Sequence, residues 1–295
     1  PHETKPDIVC EIVRIRTAHP SWGPKKIRAI LRRESKKKKL PAVNTIGDIL
    51  KRCGLLPGRR RRKYAGLIPQ EAPCVTPTAP NHVWTIDFKG WWWTGDGTKC
   101  NPLTIRDGWC RFILEIGALD KWAIEAVRPR FEAVFQKYGL PDIIRMDNGT
   151  PFIAKGVVGL TKLSAWFIRL GIQVDRTRPA NPQDNGGHER MHRDMSGELQ
   201  KTPAYSLAEE QERFDKWKRE FNTVRPHEAL NMKTPSELYR RSTKKFRRRL
   251  KQIKYPANYE VRIVGKNGRI KLKGSSRYIS EAFAGEKIGL QQIAD

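Results

Sequence analysis

The sequence predicts a multidomain α/β protein: a small helical unit of helix-turn-helix type, a mixed-sheet core, and a small β-barrel. Three observations predict it. Isoleucines at helical spacing dominate residues 7–54, short β-rich runs alternate with amphipathic helices through the middle, and the tail from residue 256 alternates between glycine turns. Charge divides the chain at the same places. Residues 1–80 hold 19 Lys and Arg against 6 Asp and Glu (+13), residues 81–235 hold 23 against 20 (+3), and residues 236–295 hold 16 against 5 (+11), summing to +27. A nearly balanced core between basic flanks suggests arms that grip a polyanion, and binding nucleic acid lets such arms release its counterions. A merely soluble basic surface would explain the total charge but not its segregation.

At 295 residues the chain can bury a sizeable core without a disulfide or metal staple. No stretch reads as a signal peptide or as an apolar span of membrane length, which predicts a cytoplasmic protein with no membrane partner. The five cysteines, Cys10, Cys53, Cys74, Cys100 and Cys110, form no C-x-x-C pair and read as buried or surface thiols. The first residue is proline, so some natural N-terminal sequence is expected upstream.

The elements follow in order. Ile8, Ile12 and Ile15 mark a first helix; Pro24 opens a second carrying Ile27, Ile30 and Leu31; Asn44 and Thr45 are plausible caps of a third, which carries Ile46, Ile49 and Leu50 and stops at Gly54. Three basic helices within residues 1–56 suit a helix-turn-helix, with Lys25, Lys26, Arg28 and Thr45 as candidate DNA contacts. Residues 57–80 read as an extended basic linker, with five prolines and the run Arg59, Arg60, Arg61, Arg62. The core is expected over 81–239. HVWTIDFKGWWW is β-rich, TGDGTKCNP is turn-like, and PLTIRDGWCRFILEIG reads as two strands joined near Asp107. WAIEAVRPRFEAVFQKYG is helical despite Pro129 and stops at Gly139; DIIRM is a short strand, LSAWFIRLG a helix and IQVDR a strand, and helices resume after Gly186-Gly187 and over 207–222 and 234–241. A second basic connector fills 240–255, and YEVRIV, GRIKLKG and SRYIS in 256–295 suit the small barrel.

Three carboxylates stand out. Asp87 sits inside the apolar run Trp84–Phe88, and Asp147 ends Ile143–Met146. Desolvating an unpaired carboxylate is expensive, and a hard divalent cation would compensate it; the alternative is a plain strand-end or turn aspartate. Glu189 lies at the edge of a helical stripe formed by His188, Met191, His192, Met195 and Leu199, so it can lean over a sheet margin toward strand aspartates. Such a set can hold two ions and promote in-line displacement at phosphorus. The same stretch, HERMH, also satisfies the H-E-x-x-H zinc-protease pattern, with Glu209 or Glu210 as a further ligand. Gly186-Gly187 puts His188 in a fraying first turn, and a protease leaves the basic flanks and both strand aspartates unexplained. The histidines therefore read as packing or DNA-facing groups. Trp91, Trp92 and Trp93 cannot share one sheet face, so core or subunit packing and base stacking are both open for them.

WTIDFKG, IIRMDNGTPF and NPQDNGGHERMHRDM together resemble the three acidic motifs of DDE transposases, in particular bacterial insertion-sequence enzymes with a retroviral-integrase-like core. TIRDGWCRF resembles that family's strand–turn–strand, FNTVRPHEALNMKTPSELY the segment closing its core, and HPSWGPKKIRAILRR with TIGDILKRCGLL its N-terminal DNA-binding helices. The resemblance implies a ribonuclease H-like fold. It also implies Mg²⁺-dependent cleavage and joining of double-stranded transposon ends to target DNA, with two ions per site and Mn²⁺ as a substitute. The catalytic and metal-binding set carries over as Asp87, Asp147 and Glu189, while Asp107 matches a turn aspartate outside the metal site. A homo-oligomer, at least a dimer on paired ends, and a nucleoid-associated location are further implications. A catalytically silent DNA-binding relative is the remaining alternative. Lys89, Asn148, Asn185, His188 and Arg193 complete the candidate DNA contacts. Two departures accompany these matches. Forty-one residues separate Asp147 from Glu189, more than in retroviral integrases, with an insertion at Gly156–Leu163. Ser196 occupies the position, seven after the glutamate, where relatives often carry a basic residue; Arg193 is the substitute.

Overall fold

The computed structural model describes residues 4–34, 40–56, 75–146, 160–177, 186–250 and 253–291. The first unit is three helices, α1 (Pro6–Ala18), α2 (Pro24–Glu34) and α3 (Val43–Arg52). The isoleucine stripes meet in one cluster with Trp22, which is as buried as they are. Arg16 closes its base, donating to the carbonyls of Trp22 (2.6 Å) and Leu55 (2.8 Å). The third helix starts earlier than its sequence suggests: Ala42 is the N-cap, with no side-chain bond, and Asn44 and Thr45 lie within the first turn.

The core holds β1 (Val83–Phe88), β2 (Trp92–Trp93), β3 (Lys99–Asp107), β4 (Ile113–Leu119), α4 (Ile124–Tyr138), β5 (Ile143–Met146), α5 (Lys162–Arg169), β6 (Gln173–Arg176), α6 (Gly186–Met195), α7 (Leu207–Thr223) and α8 (Pro235–Leu238). Strand β3 begins inside the stretch expected to be a turn. It takes in Cys100, Asn101 and Pro102 because Trp92 and Trp93 pair with it. A π-helical turn, Ser196–Gln200, extends α6, and α8 is only four residues long. The sheet runs β2-β3-β1-β5-β6, with β4 on β3. The β1–β3 and β3–β4 pairs are antiparallel, and β1–β5 and β5–β6 are parallel. This mixed order is the ribonuclease H-like arrangement.

Side chains alternate across the sheet, so each strand feeds two layers. Trp84, Ile86, Leu103 and Ile105 join Val127, Phe131 and Phe135 of α4 and Phe167 of α5. On the opposite face Cys100, Ile116 and Ala118 meet Met191, Met195 and Leu199 of the α6 segment and Phe214, Trp217 and Phe221 of α7. Burying each such side chain contributes about 1.5–3 kcal/mol. Pro129 is tolerated within α4, and the helix ends where Gly139 takes φ +83°.

Two polar hubs lock this frame. Asn81, in the left-handed region at φ +64°, accepts from Trp84 Nε1 (3.1 Å) and the Tyr239 hydroxyl (2.8 Å). Its own N–H donates to Asp107 (2.7 Å), joining the start of the core to its end. Asp107 is fully buried and also accepts from the N–H groups of Trp109 (3.0 Å) and Cys110 (2.8 Å). It is a turn-closing residue.

The connector from 240 to 250 is tied to the core. Phe246 and Leu250 pack on the α4 layer, and Leu140 N–H donates to the Lys244 carbonyl (2.8 Å). The tail contains β7 (Glu260–Ile263), β8 (Arg269–Leu272), β9 (Ser275–Tyr278) and β10 (Lys287–Leu290). These pair as two antiparallel ladders, β7 with β10 and β8 with β9, instead of one closed barrel. Among the described residues no helix is long and apolar enough to cross a membrane.

Two stability predictions follow from the hubs and from a buried histidine. Asp107→Ala strands three N–H groups in the interior and should cost about 3 kcal/mol or more in denaturant unfolding, since each unmet donor costs roughly 1–3 kcal/mol. His227 packs edge-on against Phe221, and burial, then Lys26, pushes its pKa down to about 3. Its stability contribution is complete above the unfolded value near 6.5 and is lost as pH falls from there toward 3. Below pH 6.5 wild-type stability should fall by up to about 1.4 kcal/mol per pH unit for this group. In His227→Leu that slope should become measurably shallower.

Candidate active site and nucleic-acid interface

Asp87 is the fifth residue of β1 and projects toward α6, with its side chain about one-fifth exposed. Its partner across the antiparallel ladder is Thr104, and two residues back Thr85 pairs with Arg106. Cross-strand partners share a face, so Asp87, Thr104, Thr85 and Arg106 all lie under α6. The Thr104 hydroxyl donates to the Asp87 carbonyl (2.9 Å) and meets His192 Nε2 (2.9 Å). One arrangement satisfies every proton: His192 Nε2–H donates to Thr104, and Thr104 donates to Asp87.

His192 Nδ1 lies 3.9 Å from the Asp87 carboxylate. That distance would make an ion pair only if the ring were protonated. Burial, with Lys89 and Arg106 nearby, pushes its pKa down to about 3, so the ring is neutral and the contact is dipolar. His188 is fully buried and stacks on His192 at 5.4 Å; burial and Arg106 lower its pKa as well. The predicted DNA contact at His188 is therefore corrected. The stripe packs as its spacing requires, and this histidine is inside it. Glu189 is exposed at the stripe's edge.

Asp147 lies outside the described residues, as do Asn148, Asn185 and Arg59 to Arg62. The residue before Asp147, Met146, is the parallel partner of Ile86, which precedes Asp87. Among the described residues no three His, Cys, Asp or Glu side chains converge as a metal cluster. The donor chemistry at Asp87 and Glu189, hard carboxylate oxygens beside a strand end and a helix start, fits Mg²⁺. It does not fit a zinc protease. His192 Nε2 is taken by Thr104, and Glu210 is fully buried, accepting from Ala204 N–H (2.6 Å) and pairing with Arg213 (3.1 Å). Glu209 accepts from Tyr205 N–H (3.0 Å).

The other predicted DNA contacts divide. Lys25 pairs with Glu228 of the core (3.0 Å), and Arg28 Nε donates to the Pro41 carbonyl (3.0 Å), so both already have partners within the chain. Lys26 faces the core, where burial and Arg225 lower its pKa against the pull of Asp194, Glu198 and Glu228. The second helix is thus a docking helix. Thr45 is half-buried in α3, whose outer face carries Asn44, Asp48, Lys51 and Arg52. Lys89 is half-buried beside Asp87, its pKa lowered by burial, with the aspartate opposing the shift. Arg193 is exposed and lines a cleft of about 660 Å³ between the helical unit and the core. The tryptophans split as well: Trp92 is buried against Phe214, whereas Trp91 and Trp93 are exposed, with Lys99 over Trp91 at 4.4 Å.

Sequence reasoning missed the groups that join the two units. Glu198 accepts from Ser21 (2.6 Å), Trp217 Nε1 (2.6 Å) and the buried Arg225 (2.7 Å), which also pairs with Asp194 (2.8 Å). It missed Arg106 too, whose only sequence signal is a cation in the interior of an apolar strand.

Two family models described as integrase core domain match the chain, over residues 77–182 and 170–235. An uncharacterized 31.7 kDa protein of insertion element IS407 from Burkholderia multivorans is 25% identical over 242 residues, covering 80% of this chain and 83% of that one. An uncharacterized 39.2 kDa protein of insertion element IS476 from Xanthomonas euvesicatoria is 25% identical over 232 residues, covering 77% of this chain and 62% of that one. Among solved structures, the dimeric HTLV-2 integrase catalytic core in complex with magnesium is similar at 16% identity, over 55% of this chain and 98% of that one, with a TM-score of 0.42. With residues 77–235 matched, more than half of its length, the chain belongs to the integrase core family and groups with proteins of bacterial insertion elements.

Proposed function

We propose that this protein is a DNA transposase. In this reading it binds the terminal inverted repeats of its element, frees their 3′ ends, and joins those ends to target DNA by in-line phosphoryl transfer. The observation that carries the reading is the integrase-core match over the segment that places Asp87 on β1 beneath the helix bearing Glu189. Pairing of Ile86 with Met146 supports Asp147 as the third member. Asp87, Asp147 and Glu189 would hold two Mg²⁺ ions, which when bound supply an activated oxygen nucleophile and stabilise the leaving oxygen. The chain's own residues do the rest. Thr104 and His192 fix the backbone beside Asp87, and the neutral His188–His192 pair keeps further charge away from the carboxylate.

The basic helical unit and the linker would hold the DNA, with the outward face of α3 as the reading surface. Joining two ends to a target requires at least two active sites, so a homo-oligomer on paired ends belongs to the reading, as does a place at the bacterial nucleoid.

A strand-transfer assay with the element's own ends tests it. Mg²⁺ should support joining and Zn²⁺ should not; Asp87→Asn and Asp147→Asn should each abolish joining while leaving duplex affinity within about twofold. Wild-type joining activity in either variant would remove that residue from the role. Neutralising Arg59 to Arg62 should weaken DNA binding and reduce the salt slope by up to about 4, one unit per lost phosphate contact. An unchanged slope would show that these arginines do not touch phosphate.

A further inference from the structure

A cavity of about 240 Å³ lies where the helical unit meets the start of α6. Lys26 of α2, Arg106 of β3, Arg111 of the β3–β4 turn and Arg190 of α6 all line it. Arg106 is 6% exposed, and its Nε has no hydrogen-bond partner. The carboxylate that acts on it is Asp107, which is already occupied by the N–H groups of Asn81, Trp109 and Cys110. A Cβ on Gly187 would sit 2.5 Å from the terminal nitrogens of Arg106. Glycine leaves room for this guanidinium against the first turn of α6, where the helix dipole adds more positive potential. Arg111 lies close enough to Arg106 and Arg190 for each pair to repel. Among the described residues two carboxylates reach the cavity, and both are committed: Asp194 to the buried Arg225 at 2.8 Å, and Glu228 to Lys25 at 3.0 Å.

Four cations and a helix N-terminus thus converge on a space whose acids, among the described residues, already have partners. We propose that this cavity is an oxyanion site built for a phosphate group. Arg106 forms the floor, Arg111 and the exposed Arg190 the rim, and Lys26 a lid contributed by the helical unit, so an occupied site ties that unit to the core. Backbone N–H groups at a helix start and guanidinium forks are the donors that match tetrahedral oxygens. The occupant is a phosphate of the DNA backbone or free inorganic phosphate. Only the first source rests on the transposase reading.

The full chain is titrated with inorganic phosphate at constant ionic strength, without DNA or divalent ions, by calorimetry and thermal unfolding. Wild type should bind saturably and gain melting temperature. Arg111→Gln and Arg190→Gln, at the half-buried and exposed rim, should keep the wild-type circular dichroism and bind at least about tenfold more weakly. No saturable binding by wild type, or equal binding by wild type and both variants, overturns the site. A second arm measures a labelled DNA duplex. If phosphate competes with the duplex and Arg190→Gln loosens it, the occupant is a backbone phosphate. If the duplex is indifferent to both, the occupant is the free ion. Loss of strand transfer alone leaves the phosphate arm standing.

Discussion

The packing of α6 against the face shared by β1 and β3 is the constraint from which the site follows. His188, Met191, Met195 and Leu199 fill that contact, and none is more than 5% exposed. With those four fixed, the helix cannot rotate. Glu189 is therefore held at the margin, and His192 is held over Thr104 and the edge of Asp87. The same contact accounts for the second glycine of the pair, Gly187. Strand β3 presents Arg106 toward the helix start, and any side chain at residue 187 would collide with it. One packing decision thereby sets the carboxylate, the two histidines and the cationic cavity together.

The helical unit extends this logic to the rest of the chain. Its second helix turns its cations inward, Lys25 to Glu228 and Arg33 to Glu237 at 3.1 Å, while Ser21 meets Glu198 and His19 meets Glu220 at 3.1 Å. Most of these pairs are exposed, and each adds under about 1 kcal/mol. Glu198 differs, because it sits against Arg225, whose side chain is 1% exposed. Burial would raise the glutamate's pKa, yet Arg225, Ser21 and Trp217 together hold it below the usual carboxylate range. Removing Glu198 would leave a buried guanidinium, packed on Trp217 and Phe221, with one terminal nitrogen stripped of its acceptor and Asp194 as its remaining carboxylate partner. The unit's orientation is thus secured at one buried network, with the surface pairs as trim.

Much of this was legible in the sequence, and what was not has a physical reason. Isoleucine spacing, Pro24 and Gly139 marked the helices because those signals are local. Asn44 and Thr45 misled because a good capping residue is not obliged to cap; the helix starts two residues before Asn44, with Ala42 as its N-cap. The turn expected over 94–102 is present at 95–97, but its last four residues became strand because partners were available: Trp92 and Trp93 on one side, β4 on the other. The tail's alternation was real, but periodicity reports strands and not closure, and two separate ladders satisfied it. Asp87 was readable because it interrupts an apolar run, and Glu189 because it borders a helical stripe. Arg106 interrupts an apolar run too. Its meaning depends on Gly187, 81 positions away, and on Arg111 and Arg190, and no local pattern reports that convergence.

That convergence also explains why HERMH is not a metal clasp. Along β1 and β3 the Asp87–Thr104 pair and the Thr85–Arg106 pair are two residues apart, about 7 Å. A buried guanidinium and a carboxylate proposed to hold divalent ions thus sit one step from each other. Direct contact would neutralise both, and the site would lose its attraction for a cation at one end and for an anion at the other. The layer above them is two parallel imidazole rings, His188 and His192, both driven neutral by burial and by Arg106. Neutral rings can pack flat, and His192 still has a proton for Thr104. A charged side chain in that layer would pair with one group and abandon the other. The two histidines, at i and i+4, thus place polar but uncharged rings over Asp87 and Arg106.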